Sequence, residues 1–296
     1  MDMQISEVPS SDVHSGQTPQ RIGVILADLR KLNTTALKYL IVHLNTLQTS
    51  IEFEILTPDD HDPLFAMLSR QDAVDRDECR EMLRSFRDRL VEQFEVEQEE
   101  YGLADRSLPA NFVVISLARF HDEHYGLKSG PIQVQALGNW ERDMAPPSIF
   151  EFIVVLLMRQ AASFITPSLS KSVHLGTKGC LFDFTGYLGE ARYKALQSFI
   201  CDACRQRLKD SGSIKLADDI TRVLDFRWLG EPSDPYCPAG IVAKLGYNLF
   251  LTKGIQPTVL ETIRATLRDE ATKELMKLIF LLIGTILLFK LGFKAR

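Results

Sequence analysis

Seven consecutive residues, Phe152 to Met158 (FIVVLLM), carry no polar side chain. A helix through such a stretch has no face to turn to water, so other elements must enclose it. Its flanks mark it as helical. Pro146 and Pro147 stop the preceding chain, and Ser148 with Glu151 spells a capping box opening a helix that runs through Ile165. The sequence therefore asks for a central helix packed on a sheet, or for a short membrane segment in the same place.

The rest of the body supplies the sheet. Arg21 to Leu29 (RIGVILADL) reads as a buried strand. Asn33 to Gln48 carries Leu37, Leu40, Ile41, Leu44 and Leu47 at helical spacing, with Asn33 as N-cap, and Ile51 to Leu56 alternates as a half-exposed strand. Strand, helix, strand opens an α/β or α+β domain. Asp72 to Glu100 is an amphipathic helix, with Cys79, Leu83, Phe86, Leu90 and Phe94 inside and a charged, solvated outer face. Asn111 to Leu117 is a third strand, and Ile132 to Leu137 (IQVQAL) alternates as an edge strand. Gly230 to Gly240, rich in Pro, Gly and Asp, reads as a linker, after which Ile241–Phe250 and Thr258–Lys273 read as short helices. The expected organisation is a disordered leader over 1–20, an α/β domain over 21–210, a linker with juxtamembrane helices over 211–274, and a tail over 275–293.

That tail is the second constraint. Leu278 to Phe289 is twelve residues without a charge, about 18 Å of helix against a hydrocarbon slab of about 30 Å. Extending the run to Leu275–Phe293 gives about 28 Å, interrupted only by Lys277 and Lys290, whose long stems can carry their ammonium groups to the headgroups. The run is apolar all round, as bilayer segments are, and lysines bracket it. The expectation is a single-pass tail anchor in a lipid bilayer with the body in the cytoplasm; an interfacial or packed helix is the alternative. Gly284 and Thr285 offer small residues at which such helices associate with copies of themselves. A net charge of −5 and an isoelectric point near 5.7 leave no basic field to favour nucleic acid. Five cysteines at irregular spacings do not form the framework of a secreted disulfide scaffold.

Chemistry concentrates between His174 and Cys204: HLGTKGCLFDF, then a helix expected from about Glu190 and ending FICDACRQRL. On one continuous helix Cys201 and Cys204, three residues apart, share a face, and Cys180 and His174 on the preceding loop can complete a tetrahedral Cys3His set for a structural zinc. Two other readings stand beside it. A redox dithiol is allowed by the CxxC spacing, although the later half of a helix is the wrong end to stabilise a thiolate. The pair can also be two core cysteines of a helix that buries Leu196 and Ile200.

GCLFDF followed by CDAC resembles the C-terminal half of the archaemetzincin zinc peptidases, whose pattern is HExxHxxGxxHC, then CxM, then a closing CxxC. Cys180 matches the cysteine of CxM, Cys201 and Cys204 match the CxxC, and His174 falls on the third histidine of the long motif. The resemblance covers roughly residues 111–208 and implies an α+β fold: a metzincin-like mixed sheet with packed helices, here with a C-terminal membrane helix added. It also implies what is missing. Phe164 and Ser168 stand at the two catalytic histidines, Ile165 at the catalytic glutamate, Phe182 at the methionine, and Leu175 at the first structural cysteine. A hydrolytic zinc needs three protein ligands, a water and a carboxylate. The resemblance therefore implies a pseudo-enzyme with no catalytic residues, keeping a structural zinc on His174, Cys180, Cys201 and Cys204.

Other candidates are weaker. His121 and His124 (HDEHYG) read as solvent-facing loop residues, Asp59 to Asp62 as a turn, and Cys79 and Cys237 as cysteines without partners. No phosphate-binding or GxSxG sequence occurs. The expected function is a non-catalytic, zinc-stabilised domain tethered to a membrane, acting as sensor, adaptor or membrane effector toward a protein partner. Bacterial antiviral effectors that permeabilise membranes have the same layout. The alternative is an active zinc hydrolase built on ligands such as His121, His124 and a carboxylate.

Overall fold

The first apolar run forms β1, Gln20–Ala27, with Ile22, Val24 and Ile25 fully buried. In the computed structural model, which describes residues 18–27, 29, 32–70, 72–102, 107–170 and 174–290, β1 lies inside a five-stranded sheet of order β2-β1-β3-β5-β4. The other strands are β2 (Ile51–Leu56), β3 (Asn111–Ser116), β4 (Gly126–Ser129) and β5 (Ile132–Ala136). β2, β1, β3 and β5 run parallel in register, and β4 pairs antiparallel with β5. The protein is thus a mixed α/β structure with a mixed sheet, in keeping with an α+β class.

Strand alternation divides the core between the two faces of the sheet. Ile22, Val24, Val113 and Ile115 face one apolar cluster, and Ile25, Phe112 and Val114 face the other. Helices α2 (Pro63–Leu68) and α3 (Arg76–Tyr101) cover the second face through Leu64, Phe65, Cys79, Leu83, Phe86 and Leu90. Asp75 caps the start of α3, and Gly102, at φ 65°, closes its end with an N–H donated to Gln98 O. The first face holds α1 (Thr34–Leu47) and α4 (Ile149–Ile165). The Ser148–Glu151 capping box is present on α4, and Phe152 to Met158 are all buried. Each such side chain contributes about 1.5–3 kcal/mol of burial, so the sheet and surrounding helices supply the enclosure that the sequence demands.

One strand expectation is corrected. β5 is an interior strand, all five of its residues buried, and the short hairpin partner β4 takes the edge. The polar side of its alternation faces α4 instead of water. Gln135 sits among Val113, Ile115, Ile153, Leu156 and Leu157, and neither amide atom has a hydrogen-bond partner. β4 escapes a hydrophobicity pattern because it is four residues long with a single buried side chain, Leu127.

Residues 211–249, read from sequence as linker and helices, contribute to the same core. Helix α8 (Ile214–Leu224) buries Leu216, Ile220 and Val223. Its Asp219 carboxylate accepts from Thr49 N, Ser50 N and Ser50 Oγ at 2.6–3.1 Å, fixing the entry to β2. Helix α9 (Pro238–Lys244) needs Gly240, where a Cβ would lie 1.7 Å from Asp234 O. Tyr247 then stacks on Phe150 of α4 with ring centroids 3.9 Å apart.

The final element, α10 (Val259–Lys290), is one helix of 32 residues, so Thr258–Lys273 continues directly into the apolar tail. Its recorded tie to the body is an ion pair between Glu261 and Arg142, and its large apolar side chains are exposed. Among the described residues no helix is long and apolar enough to cross a membrane. The expected span Leu275–Phe293 runs past Lys290, the last described residue, and the expected leader lies outside the described residues up to position 17.

Candidate metal centre

The site is assembled by a loop that folds back on itself after α5 (Pro167–Ser170). Phe184 N–H donates to His174 O at 2.8 Å, and Leu181 N–H to Phe199 O at 2.9 Å, which pins the loop to the segment after α6 (Leu188–Gln197). Gly179, at φ 80°, lets the loop lie close against the end of α6: a Cβ there would sit 2.5 Å from Gln197 Cγ.

The helix expected to carry both closing cysteines is two helices. α6 ends at Ser198, whose left-handed φ of 51° turns the chain, and α7 (Asp202–Asp210) begins with Cys201 as its N-cap. The two thiols therefore sit at the positive end of a helix, where thiolates are favoured. The helix-polarity argument against a redox pair is thereby reversed. What distinguishes the site from a simple dithiol is the number of donors that converge.

His174, Cys180, Cys201 and Cys204 place one ligand atom each within 4.8 Å of one another. His174 Nε2 is 3.4 Å from both Cys201 Sγ and Cys204 Sγ, and Cys201 N–H points at Cys180 Sγ, also at 3.4 Å. Around a tetrahedral zinc an N···S edge is about 3.5 Å, so the His174 edges to Cys201 and Cys204 already have the length of a coordination shell. Cys180 and Cys204 are fully buried, Cys201 and His174 are half-buried, and no disulfide joins any of them. The group can hold a metal ion.

Electrostatics within the cluster point the same way. The Cys180 thiol is pulled down to about 5, chiefly by a hydrogen bond from Cys204 that outweighs burial, while Cys204 is pushed up, first by that bond and then by burial. Two thiols sharing one proton make a site at which a cation can take the proton's place.

Sequence reasoning missed the residue that orients the histidine. Asp183 is completely buried; its Oδ1 lies 2.7 Å from His174 Nδ1, and its Oδ2 accepts from Lys178, Gly179 and Cys180 N–H at 2.6, 2.7 and 3.2 Å. The carboxylate thereby holds Nδ1 as the donor and leaves the Nε2 lone pair facing the sulfurs, the second-shell arrangement common to metal-binding histidines. The signal was present in the sequence as an aspartate three residues after Cys180, spaced to accept from the loop N–H groups.

No family model, curated protein or solved structure matches the chain.

The remaining candidates do not converge. Among the described residues His121 and His124 join no group of metal-ligating side chains. His121 N–H donates to Val74 O, and His124 lies tilted against Tyr187, ring centroids 5.9 Å apart, with its Nδ1 3.1 Å from Asp122 O. Asp122 pairs with Arg76. Asp59 and Asp62 form the expected turn: Asp59 accepts from His61 N–H, and Asp62 caps α2 and pairs with Arg89. The positions aligned with a catalytic helix are split, because α4 ends at Ile165 and Pro167 opens α5. Phe164 and Ser168 thus lie on either side of a helix break. Cys79 is buried against α2, and Cys237 caps α9.

Proposed function

We propose that the protein is a non-catalytic, metzincin-like domain whose loop is clasped by a structural zinc, held at a lipid bilayer by the apolar end of α10, and acting as a sensor, adaptor or membrane effector toward a protein partner. The observation that carries the zinc is the convergence of three cysteine sulfurs and the His174 Nε2, backed by buried Asp183. Four protein donors complete a tetrahedral shell and leave no position for an attacking water, which is the difference between a structural and a hydrolytic zinc. Thiolates with one imidazole suit zinc better than the hard cations, which prefer oxygen.

The metzincin reading is supported by the succession of β3, an antiparallel edge hairpin and a central helix ahead of the cysteine loop, the order that the motif resemblance implies. The membrane reading rests on exposure. Leu278, Phe280, Leu281 and Leu282 are each more than 60% exposed on a helix that carries no charge from 278 to 289. Apolar surface of that extent calls for a cover, and a bilayer covers a helix that is apolar on every side. The 16 residues Leu275 to Lys290 reach about 24 Å, enough to enter the hydrocarbon but short of its full thickness.

The test is a set of three measurements on the purified full chain: metal content, hydrolysis of unfolded protein substrates, and sedimentation with anionic lipid vesicles. The expected result is one zinc per chain, no hydrolysis, and vesicle binding lost when residues 275–296 are removed. Folded protein with four empty, reduced donors, or zinc-dependent hydrolysis, overturns the reading.

A further inference from the structure

The three thiols of the cluster differ in what can reach them. Cys180 and Cys204 are completely buried, whereas Cys201 is half-buried and stands at the start of α7. The chain beside the contact between His174 and Cys201 lies at the surface: Leu175 is 92% exposed and Phe199 38%. A reagent arriving from solvent meets Cys201 first.

Position makes that thiol reactive as well as reachable. Cys201 is the N-cap of a nine-residue helix whose start carries no side-chain cap, and the positive end of a helix favours a thiolate. Cys204 follows at the CxxC spacing of redox dithiols, shielded from solvent, with its sulfur within 4.8 Å of the Cys201 sulfur. An accessible thiol with a buried partner beside it is the arrangement of an oxidant-sensing pair. The sulfurs that fit a zinc shell are thus also placed to close a disulfide, and the two uses exclude each other. Joining Cys201 to Cys204 leaves Cys180 and His174, and two donors do not complete a tetrahedral shell.

We propose that Cys201 is the entry point of an oxidation switch, in which a hydroperoxide turns Cys201 and Cys204 into a disulfide, expels the zinc and frees His174 from α7. The inference rests on the metal reading above and deepens it by naming what regulates the site. The Cys201 thiolate attacks one peroxide oxygen, the O–O bond breaks, and the departing hydroxide takes a proton from solvent; Cys201 becomes a sulfenic acid. The Cys204 thiolate then attacks the sulfenic sulfur, forming the S–S bond and expelling a second hydroxide, which is protonated in turn. Two thiolates, one peroxide and two protons give one disulfide and two waters. The sulfurs lose two electrons, the peroxide oxygens gain them, and zinc leaves as the unchanged dication. The recorded partners of the Asp183 carboxylate all lie between His174 and Cys180, so it holds the loop together internally without tying it to α7.

The test titrates the reduced, zinc-loaded full chain with hydrogen peroxide. The expected result is one zinc released to a coloured chelator per disulfide formed, with peptide mass mapping placing that bond between Cys201 and Cys204. Amide hydrogen exchange is expected to quicken over residues 174–184 and to stay unchanged in β1 and β3, and a dithiol reductant with zinc restores the starting state. Zinc retained while Cys237, the half-buried thiol outside the cluster, is oxidised overturns the inference and leaves the metal site standing. So does a disulfide from Cys201 to Cys180, which would fasten the loop to α7, and so does zinc loss with unchanged exchange over the loop. Cys201→His keeps four donors, removes the entry thiol, and is expected to release zinc at least about tenfold more slowly under peroxide; an equal rate overturns the inference. If that variant does not fold or load, the mapped bond in the wild type decides alone. A reduced chain that binds no zinc sinks the metal site and this inference with it.

Discussion

His174 Nδ1 lies 2.7 Å from Asp183 Oδ1, and that contact decides which imidazole nitrogen faces the three cysteines. Because the other carboxylate oxygen already accepts three backbone N–H groups, one buried side chain shapes the loop and selects the tautomer together. Asp183→Asn presents an amide N–H to Nδ1 when its oxygen keeps the loop contacts, which moves the imidazole proton to Nε2 and takes that lone pair out of use. The expected outcome is a loss of zinc affinity of about 10–100-fold, measured by chelator competition. Affinity equal to wild type would show that the tautomer is set elsewhere.

Cys79 tests the opposite kind of cysteine. Burial pushes its thiol up to about 12 from 9, so the folded state holds this proton more tightly than the unfolded chain does. Its contribution to stability is therefore complete below pH 9 and is lost as the pH climbs from 9 towards 12. Tyr39, also raised by burial, adds to the same alkaline decline. Cys79→Ala is expected to make that decline shallower in urea titrations across this range. An undiminished slope would place the proton linkage on other groups. In the native protein at pH 9, alkylation should reach Cys237 and spare Cys79.

The capping box of α4 is a third check. Ser148 Oγ accepts from Glu151 N–H at 3.2 Å, and Glu151 Oε2 accepts from Ser148 N–H at 2.7 Å. Ser148→Ala removes one half of this exchange at the start of the most buried helix and is expected to cost about 1 kcal/mol. Chemical denaturation of the two proteins side by side measures it, with the slope of the transition unchanged.

Removing α10 tests how independent the body is. With the Arg142–Glu261 ion pair as its recorded tie, the helix adds little to the core. A chain ending at Pro257 is expected to keep its zinc and its stability to within about 1 kcal/mol, since exposed ion pairs contribute no more than that. It should also lose vesicle binding. A large drop in melting temperature would mean that the tail supports the body.

The sequence was most informative where physics is local. Helical periodicity placed α1 and α3, alternation placed β2, and the Ser148–Glu151 spacing opened α4 at the right residue, because each pattern reports one element against its own surroundings. It misplaced β5 because alternation cannot tell water from a helix as the neighbour on the polar side, and here Gln135 meets α4. It joined α6 to α7 because a break at Ser198, a single residue in left-handed conformation, leaves almost no trace in hydrophobic spacing.

From its amino acids alone the chain determined that three thiols and an imidazole lie within one stretch, that one helix had to be enclosed, and that the tail holds twelve residues without a charge. Tertiary structure decided that His174 and Cys201, 27 residues apart, meet at 3.4 Å. It also decided that Cys201 begins a helix and that buried Asp183 holds both the loop and His174. Donor type and periodicity belong to single residues and short segments. Convergence depends on closing loops whose ends are held by contacts far away in the chain, and no local pattern encodes that distance.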